Sequence, residues 1–282
     1  MKVSSAGERM QDVSPFDSTW EVPAFTTVEF HPRRSRFLVI IPVINEGQRI
    51  ANQLRRMTEI NKTVDAVVVD GGSTDGSLGQ DRLAAANVRA LLIKTGPGKL
   101  SAQLRVGLAW GLAHGYEGVI LIDGNDKDDP AAISLFVEKL ENGFDHVQGS
   151  RFIPGGAFSN NPASRLLGIK LLHAPAISLA AGFRYTDTTN GFRAYSRRFL
   201  VDERVSPFRD VFSKYELHYY LAIRAARLGF KVCEVPVTRD YPPGEVPTKI
   251  SKFRGNLLIL ETLFKACLGY YDPKSSVVEK GR

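Results

Sequence analysis

Four short, largely apolar runs set the terms on which this chain can fold: FLVIIP (37–42), AVVVD (66–70), VRALLI (88–93) and GVILID (118–123). A strand that is apolar on both faces must be covered on both faces, as in a parallel sheet between two layers of helix. The segments between the runs supply those helices. Asn45 predicts the cap of a helix over 46–58, with Glu46 and Gly47 in its first turn. GGSTDGS (71–77) reads as a loop that no helix tolerates, followed by a short helix near 77–86. The Gly-rich turn GPGKL (96–100) opens a helix on which Leu100, Leu104, Leu108 and Leu112 form one apolar stripe. Another helix is expected from Pro130, and DHVQGSR (145–151) reads as a fifth strand. The fold class expected is therefore α/β, a mostly parallel sheet flanked by helices. Ligands of such sheets lie beyond the C-terminal ends of the strands, which singles out the residues just after Ile41, Val69, Ile122 and Gln148.

Beyond the fifth strand the pattern is less regular. Residues 164–182 form an apolar, helix-compatible stretch expected to break at Pro175. An amphipathic helix over 215–229 places Leu217, Leu221, Ala225 and Leu228 inward and Arg224 and Arg227 outward; a strand (231–237) and an apolar helix (255–270) follow. The expected organisation is a flexible or surface-draped arm (1–35), one large domain (36–240), and a C-terminal loop, apolar helix and tail (241–282).

Composition excludes several classes. Of 282 residues, 43% are hydrophobic and 24% charged, which rules out wholesale disorder. No secretory leader and no membrane span are expected, because no apolar run follows Lys2 and no uncharged apolar stretch reaches about 20 residues. Cys233 and Cys267 are too few for a disulfide scaffold or a Cys-rich zinc site and read as core residues of a reducing compartment. His31, His114, His146, His173 and His218 lack metal-ligand spacing, and only His218, beside Glu216, falls near a candidate site. Charge is uneven: residues 37–150 carry a net −3 and residues 151–282 a net +10. A basic half suits an anionic partner, such as phosphate or an anionic bilayer. No aromatic-studded basic strand supports nucleic acid as that partner.

Carboxylates gather at the strand ends: Asp70 and Asp75 after the second run, Asp123, Asp126, Asp128 and Asp129 after the fourth. Asp75 and Asp129 also suit helix capping, whereas Asp70 and Asp123 terminate buried strands and are better placed for a ligand.

In their order, PVINEG (42–47), VDGGSTDGS (69–77), GPGK, LIDGNDKDDP (121–130) and QGSRF (148–152) resemble the family-two glycosyltransferases of the GT-A fold. DTTNGFRAYSRR (187–198), the segment 214–237 and a basic segment at 239–249 resemble the polyprenyl-phosphate hexosyltransferase branch, typified by dolichol-phosphate mannose synthase. The resemblance spans about 37–270 and implies a GT-A (Rossmann-like) sheet with C-terminal acceptor-side helices. It also implies roles. Pro42, Asn45, Glu46, Asp70, Ser73, Lys99, Asp123, Gly124, Asn125 and Lys127 would meet the nucleotide sugar, with Gly71 in place of the motif's second Asp. Arg151, Asn190, Arg193, Glu216, Arg239 and Lys249 would meet the acceptor or phosphates, and Asp123, Arg151 and Asp187 would carry catalysis.

One departure bears on the cofactor. Where the family's D-x-D motif ends in Asp stands Asn125, and Lys127 follows. Asp123 and Asn125, helped by Asp126 or Asp128, would hold Mg²⁺ or Mn²⁺; alternatively Lys127 itself offsets the diphosphate charge. A lipid-phosphate acceptor needs arginines to position it (Arg151, Arg165, Arg193, Arg239), whereas a sugar hydroxyl needs a base, for which Asp187 is the candidate. The partners implied are a GDP- or UDP-hexose, a polyprenyl phosphate and the cytoplasmic face of a membrane, met from its surface. The apolar stretches also suit core or a homodimer interface. The alternatives are a glycan-hydroxyl transferase and a non-catalytic nucleotide-sugar binder. A sugar-phosphate nucleotidyltransferase is disfavoured, since PVINEG is not its long Gly-rich opening loop.

Overall fold

A computed structural model of the chain describes residues 17–161, 163–241 and 254–274. Lys249 and the side chain of Arg165 lie outside the described residues, as does most of the segment 239–249. The four apolar runs form strands β2 (Phe37–Val43), β3 (Asp65–Asp70), β4 (Ala90–Lys94) and β5 (Gly118–Leu121). They are mutually parallel, in the spatial order β4-β3-β2-β5. Their alternate side chains serve two cores. Leu38, Ile40, Val67 and Val69 point to one face and Val39, Ile41, Ala66 and Val68 to the other. Each valine, leucine or isoleucine among them, fully buried, contributes on the order of 1.5–3 kcal/mol.

Helices α1 (Gln48–Met57), α2 (Gln80–Ala85) and α4 (Ile133–Glu141) cover one face. Helix α3 (Leu100–Ala113) covers the other, and α8 (Glu216–Arg227) packs on it, with α6 (Ala174–Ala181) and α9 (Arg254–Cys267) packed against α8 in turn. Consequently α3 is buried all round from Ser101 to Leu112, not along one leucine stripe.

Three differences from expectation have plain causes. Within the arm, Phe25–Glu29 forms strand β1, which pairs antiparallel with β4 and closes that sheet edge; an edge strand is half exposed and shows no apolar run. Residues 1–16 are outside the described chain. In the second half, β6 (His146–Ser150) does not pair with β5. Strand β8 (Arg193–Ser196), followed directly by the one-turn helix α7 (Arg197–Leu200), lies between them, antiparallel to both, and β9 (Val232–Pro236) pairs parallel with β6 at the far edge. Finally, the helix over 164–182 is not broken at Pro175. α5 (Ala163–Gly168) runs through a π turn (Ile169–His173) into α6, with Pro175 in the first turn of α6. A wider turn just before proline absorbs its missing N–H and the clash of its ring.

Candidate active site

Every donor-side residue singled out above lies at or beyond the C-terminal ends of β2, β3 and β5, or at the start of α3. Asp70 ends β3, and its Oδ1 accepts from the backbone N–H of Gly72 (3.1 Å) and Ser73 (2.8 Å), so the loop wraps the carboxylate. Asn45 does not cap α1, which starts at Gln48 without a side-chain cap. Its φ is 49° and its Oδ1 accepts from Thr74 N–H (2.7 Å), while its own N–H donates to Ser73 Oγ (3.0 Å). The residue thereby ties the two donor loops together. Asp75 caps no helix either: it accepts from Gly47 N–H (2.8 Å) and from the Ser77 hydroxyl (2.7 Å), and the latter foremost lowers its pKa. Half-buried Glu46 sits 3.4 Å from Arg49, and exposed Lys99 precedes α3, its N–H donating to Ser213 O (2.6 Å).

After β5 the carboxylates divide between two arginines. Asp126 and Asp129 turn outward onto Arg56 (3.0 and 2.9 Å), and Asp129 also caps the short 3-10 turn Pro130–Ala132. Asp123 and Asp128 turn inward onto Arg239, which stands on the short strand β10 (Thr238–Asp240), itself paired with β7 (Ala157–Ser159). The Asp123 side chain is 26% exposed and 3.1 Å from Arg239 Nη2. Burial raises its pKa, but Arg239 and lesser positive neighbours outweigh this and hold it below the ordinary value. Asp128 is fully buried, and there burial outweighs Arg239 and holds the carboxyl up at about 6. Half-buried Asn125 accepts from Lys127 N–H (3.3 Å). Lys127 is buried, with its ammonium 5.0 Å from the centre of the Tyr241 ring.

On the acceptor side the arginines are committed to protein. Arg151 and Asp187, both buried, form a bidentate pair (Nε–Oδ2 2.6 Å, Nη2–Oδ1 2.9 Å). Arg193, 1% exposed, donates to the carbonyls of Asn190, Thr188 and His218. These donors are engaged within the protein: the loop before β8 turns two carbonyls inward and α8 supplies the third, and a buried carbonyl must find a donor. Asn190 accepts from Phe192 N–H (2.9 Å). Gly191 comes so near Asp123 that a Cβ there would lie 2.6 Å from Oδ1, so glycine lets this loop pass close against that carboxylate. Glu216, at the start of α8, accepts from Lys214 N–H (2.7 Å), and no hydrogen bond joins it to Arg151, Asn190 or Arg193.

With this geometry in place, the family description of glycosyl transferase family 2 matches residues 38–203. The chain belongs to that family. It is 34% identical over 234 residues to polyprenol monophosphomannose synthase of Mycolicibacterium smegmatis, covering 82% of this chain and 85% of that protein. It is 32% identical to undecaprenyl-phosphate mannosyltransferase of Micrococcus luteus, over 72% of this chain and 83% of that one. Among solved structures it resembles glucosyl-3-phosphoglycerate synthase of Mycobacterium tuberculosis, crystallised with Mn²⁺, UDP and glucosyl-3-phosphoglycerate. There the TM-score is 0.56 at 19% identity, covering 85% of this chain and 81% of that chain, which establishes the shared GT-A fold.

For a divalent cation, this glycosyltransferase offers less than the sequence suggests. No group of three or more His, Cys, Asp or Glu among the described residues is placed to hold one, because Asp126 faces Arg56 and Asp128 faces Arg239. What fits is a cation carried in on the donor diphosphate and anchored by one carboxylate, the way Mg²⁺ is commonly held. Asp123, partly exposed, could be that carboxylate, with the Asn125 amide oxygen as a weak second ligand.

Three residues of the site region carry no signal in the sequence. Gln103 reaches the strand ends from inside α3, Gln53 of α1 accepts from Asp126 N–H (2.8 Å), and Glu234 of β9 accepts from the N–H groups of Thr186 (2.9 Å) and Asp187 (3.2 Å). Each is a polar residue inside an element, and periodicity does not reveal what it meets.

Under the acceptor loop, His146 is fully buried and stacked on Tyr195 (ring centres 5.0 Å apart). Burial first, then Arg193, hold its pKa down at about 3 against an ordinary 6.5. Between those values the unfolded chain binds the extra proton. The contribution of His146 to stability is therefore complete above about pH 6.5 and is lost as pH drops towards 3, by up to about 1.4 kcal/mol per unit. Thermal melts from pH 7.5 to 4 are expected to show a falling Tm, with a shallower slope in His146→Phe; equal slopes would assign the acid lability elsewhere.

Proposed function

We propose that this glycosyltransferase moves a hexose from GDP- or UDP-hexose to a polyprenyl phosphate at the cytoplasmic face of a membrane, with inversion at the anomeric carbon. The two relatives above carry lipid-phosphate mannosyl transfer in their names, which makes mannose the first sugar to test. The observation that favours a lipid over a glycan hydroxyl is an apolar, outward surface on the acceptor-side helices. Leu167, Leu171 and Leu179 on α5 to α6 are 59%, 69% and 88% exposed, and Leu257 and Phe264 on α9, with Leu268 just after it, are exposed too; α9 packs beside α6. No described helix is long and apolar enough to cross a membrane, so contact would be made at the surface, with Lys170 and Lys265 among the bases nearby.

In this reading the leaving diphosphate develops negative charge beside Asp123, Arg239 and Lys127. The cation, when bound, offsets that charge. Arg239 and Lys127 are held in place beforehand, which is what makes fixed charge effective in a dry site. A phosphate monoester attacks as an anion and needs no base, which agrees with Asp187 having both oxygens on Arg151. The test is transfer of labelled hexose from a panel of GDP- and UDP-sugars to polyprenyl phosphate, with and without EDTA. Label is expected in the organic extract, and chelation is expected to reduce it. Label that stays aqueous while donor binding is intact would overturn the lipid acceptor; transfer insensitive to EDTA but lost in Lys127→Ala would overturn the cation.

A further inference from the structure

At the donor end, the last paired residues of β2 and β3 are Val43 and Asp70, and beyond them the two donor loops begin. Gln103, in the first turns of α3 and 5% exposed, sits across the two strand ends. Its Nε2 donates to Val43 O (2.9 Å) on one strand and to Val69 O (3.0 Å) on the other. Since both acceptors are carbonyls, the amide nitrogen must be the atom facing them. Val43 O also accepts from Gly71 N–H (2.8 Å), so the same oxygen joins the strand, the loop and the helix.

Gly71 completes the arrangement. A Cβ at this position would lie 2.8 Å from Gln103 Nε2 and 2.9 Å from its Cδ, closer than real Cβ atoms come. The side chain missing at 71 is thus the space in which the carboxamide lies. That accounts for glycine following Asp70 where the resembling motif carries a second Asp. The loop so fixed is the one that wraps Asp70 and, through Ser73 and Thr74, is tied to Asn45.

We propose that Gln103 is a positioning residue of the donor pocket. Its carboxamide sets the spacing between the Val43–Asn45 turn and the Asp70–Thr74 loop, and Gly71 is required because of it. The inference rests on the reading of this end of the sheet as the nucleotide site. It implies that removing the clamp loosens the ground-state grip on the nucleotide while leaving the chemistry around Asp123 intact.

Gln103→Met keeps the length of the side chain and donates no hydrogen bond. With UDP and GDP as probes in calorimetry on the full chain, Gln103→Met is expected to raise the Kd of the nucleotide bound by wild type about tenfold, and the donor KM alike, with kcat within about twofold. A second arm uses the steric pairing: Gly71→Ala is expected to weaken nucleotide binding about tenfold in the wild-type background and less than about twofold further in Gln103→Ala. The arms are independent, so a variant that fails to fold in one leaves the other to decide. Gln103→Met binding nucleotide as wild type does, whatever its Tm, would overturn the proposal, as would Gly71→Ala costing the same in both backgrounds. Wild-type protein that binds neither nucleotide would overturn the donor site itself, and this inference with it.

Discussion

Asp123→Asn is expected to lower kcat/KM for hexose transfer by about a thousandfold or more, in a protein that still folds. Asp123 lies two residues beyond β5, the strand next to β2, and is partly exposed, and no hydrogen bond among the described residues reaches its Oδ1. It is therefore free to act on whatever enters the cleft. Asparagine keeps the shape and leaves Arg239 its pairing with Asp128, so the loss falls on charge at the reacting centre. Asp126→Asn, in the same loop, is the comparison. It breaks an exposed pair with Arg56, worth about 0–1 kcal/mol, and activity is expected to stay within a few-fold of wild type. Steady-state kinetics on both variants decide the matter; Asp123→Asn within tenfold of wild type would remove Asp123 from the chemistry.

The second large effect is on stability. Arg151→Met alone leaves the Asp187 carboxylate buried without its partner, and Asp187→Leu alone leaves the guanidinium so. Each is expected to cost about 3–5 kcal/mol and to lower Tm by on the order of 10 °C, whereas the double variant recovers most of the loss. A buried ion pair is costly to break but not costly to replace, and that asymmetry is what the double variant reads. Single variants that melt with the wild type would show that the pair is open to solvent, and Asp187 would return as a candidate base for a hydroxyl acceptor.

How far the sequence could be read depended on whether a residue's meaning is local. The parallel half was legible because FLVIIP and AVVVD are apolar on both faces, and nothing but a covered strand satisfies that. Asp70 and Asp123 were legible for the same reason, as charges ending such apolar runs. β8 and β10, four and three residues long, have no apolar run to announce them and exist by pairing with distant chain. The arginines divide similarly. Arg193 was named for phosphate on residue type, but its three bonds go to carbonyls near it in space, one of them on α8. Which carboxylate belongs to Arg56 and which to Arg239 is likewise settled only when α1 and β10 arrive on either side of one loop. Sequence identifies the charges present, and the fold assigns their partners.

The order of strands carries a consequence for how the protein is made. β6 is synthesised before β8, yet in the finished sheet β8 fills the gap between β5 and β6. As the chain emerges from the ribosome, β1 to β5 can zip into a sheet among themselves. The outer edge of β5 and the whole of β6 must then wait, hydrogen-bonding groups unpaired, until residues 193–196 appear. Nascent chains that have exposed residues 146–150 but not yet 193–196 are the ones expected to recruit chaperones, more than those that have exposed residues only as far as Leu121.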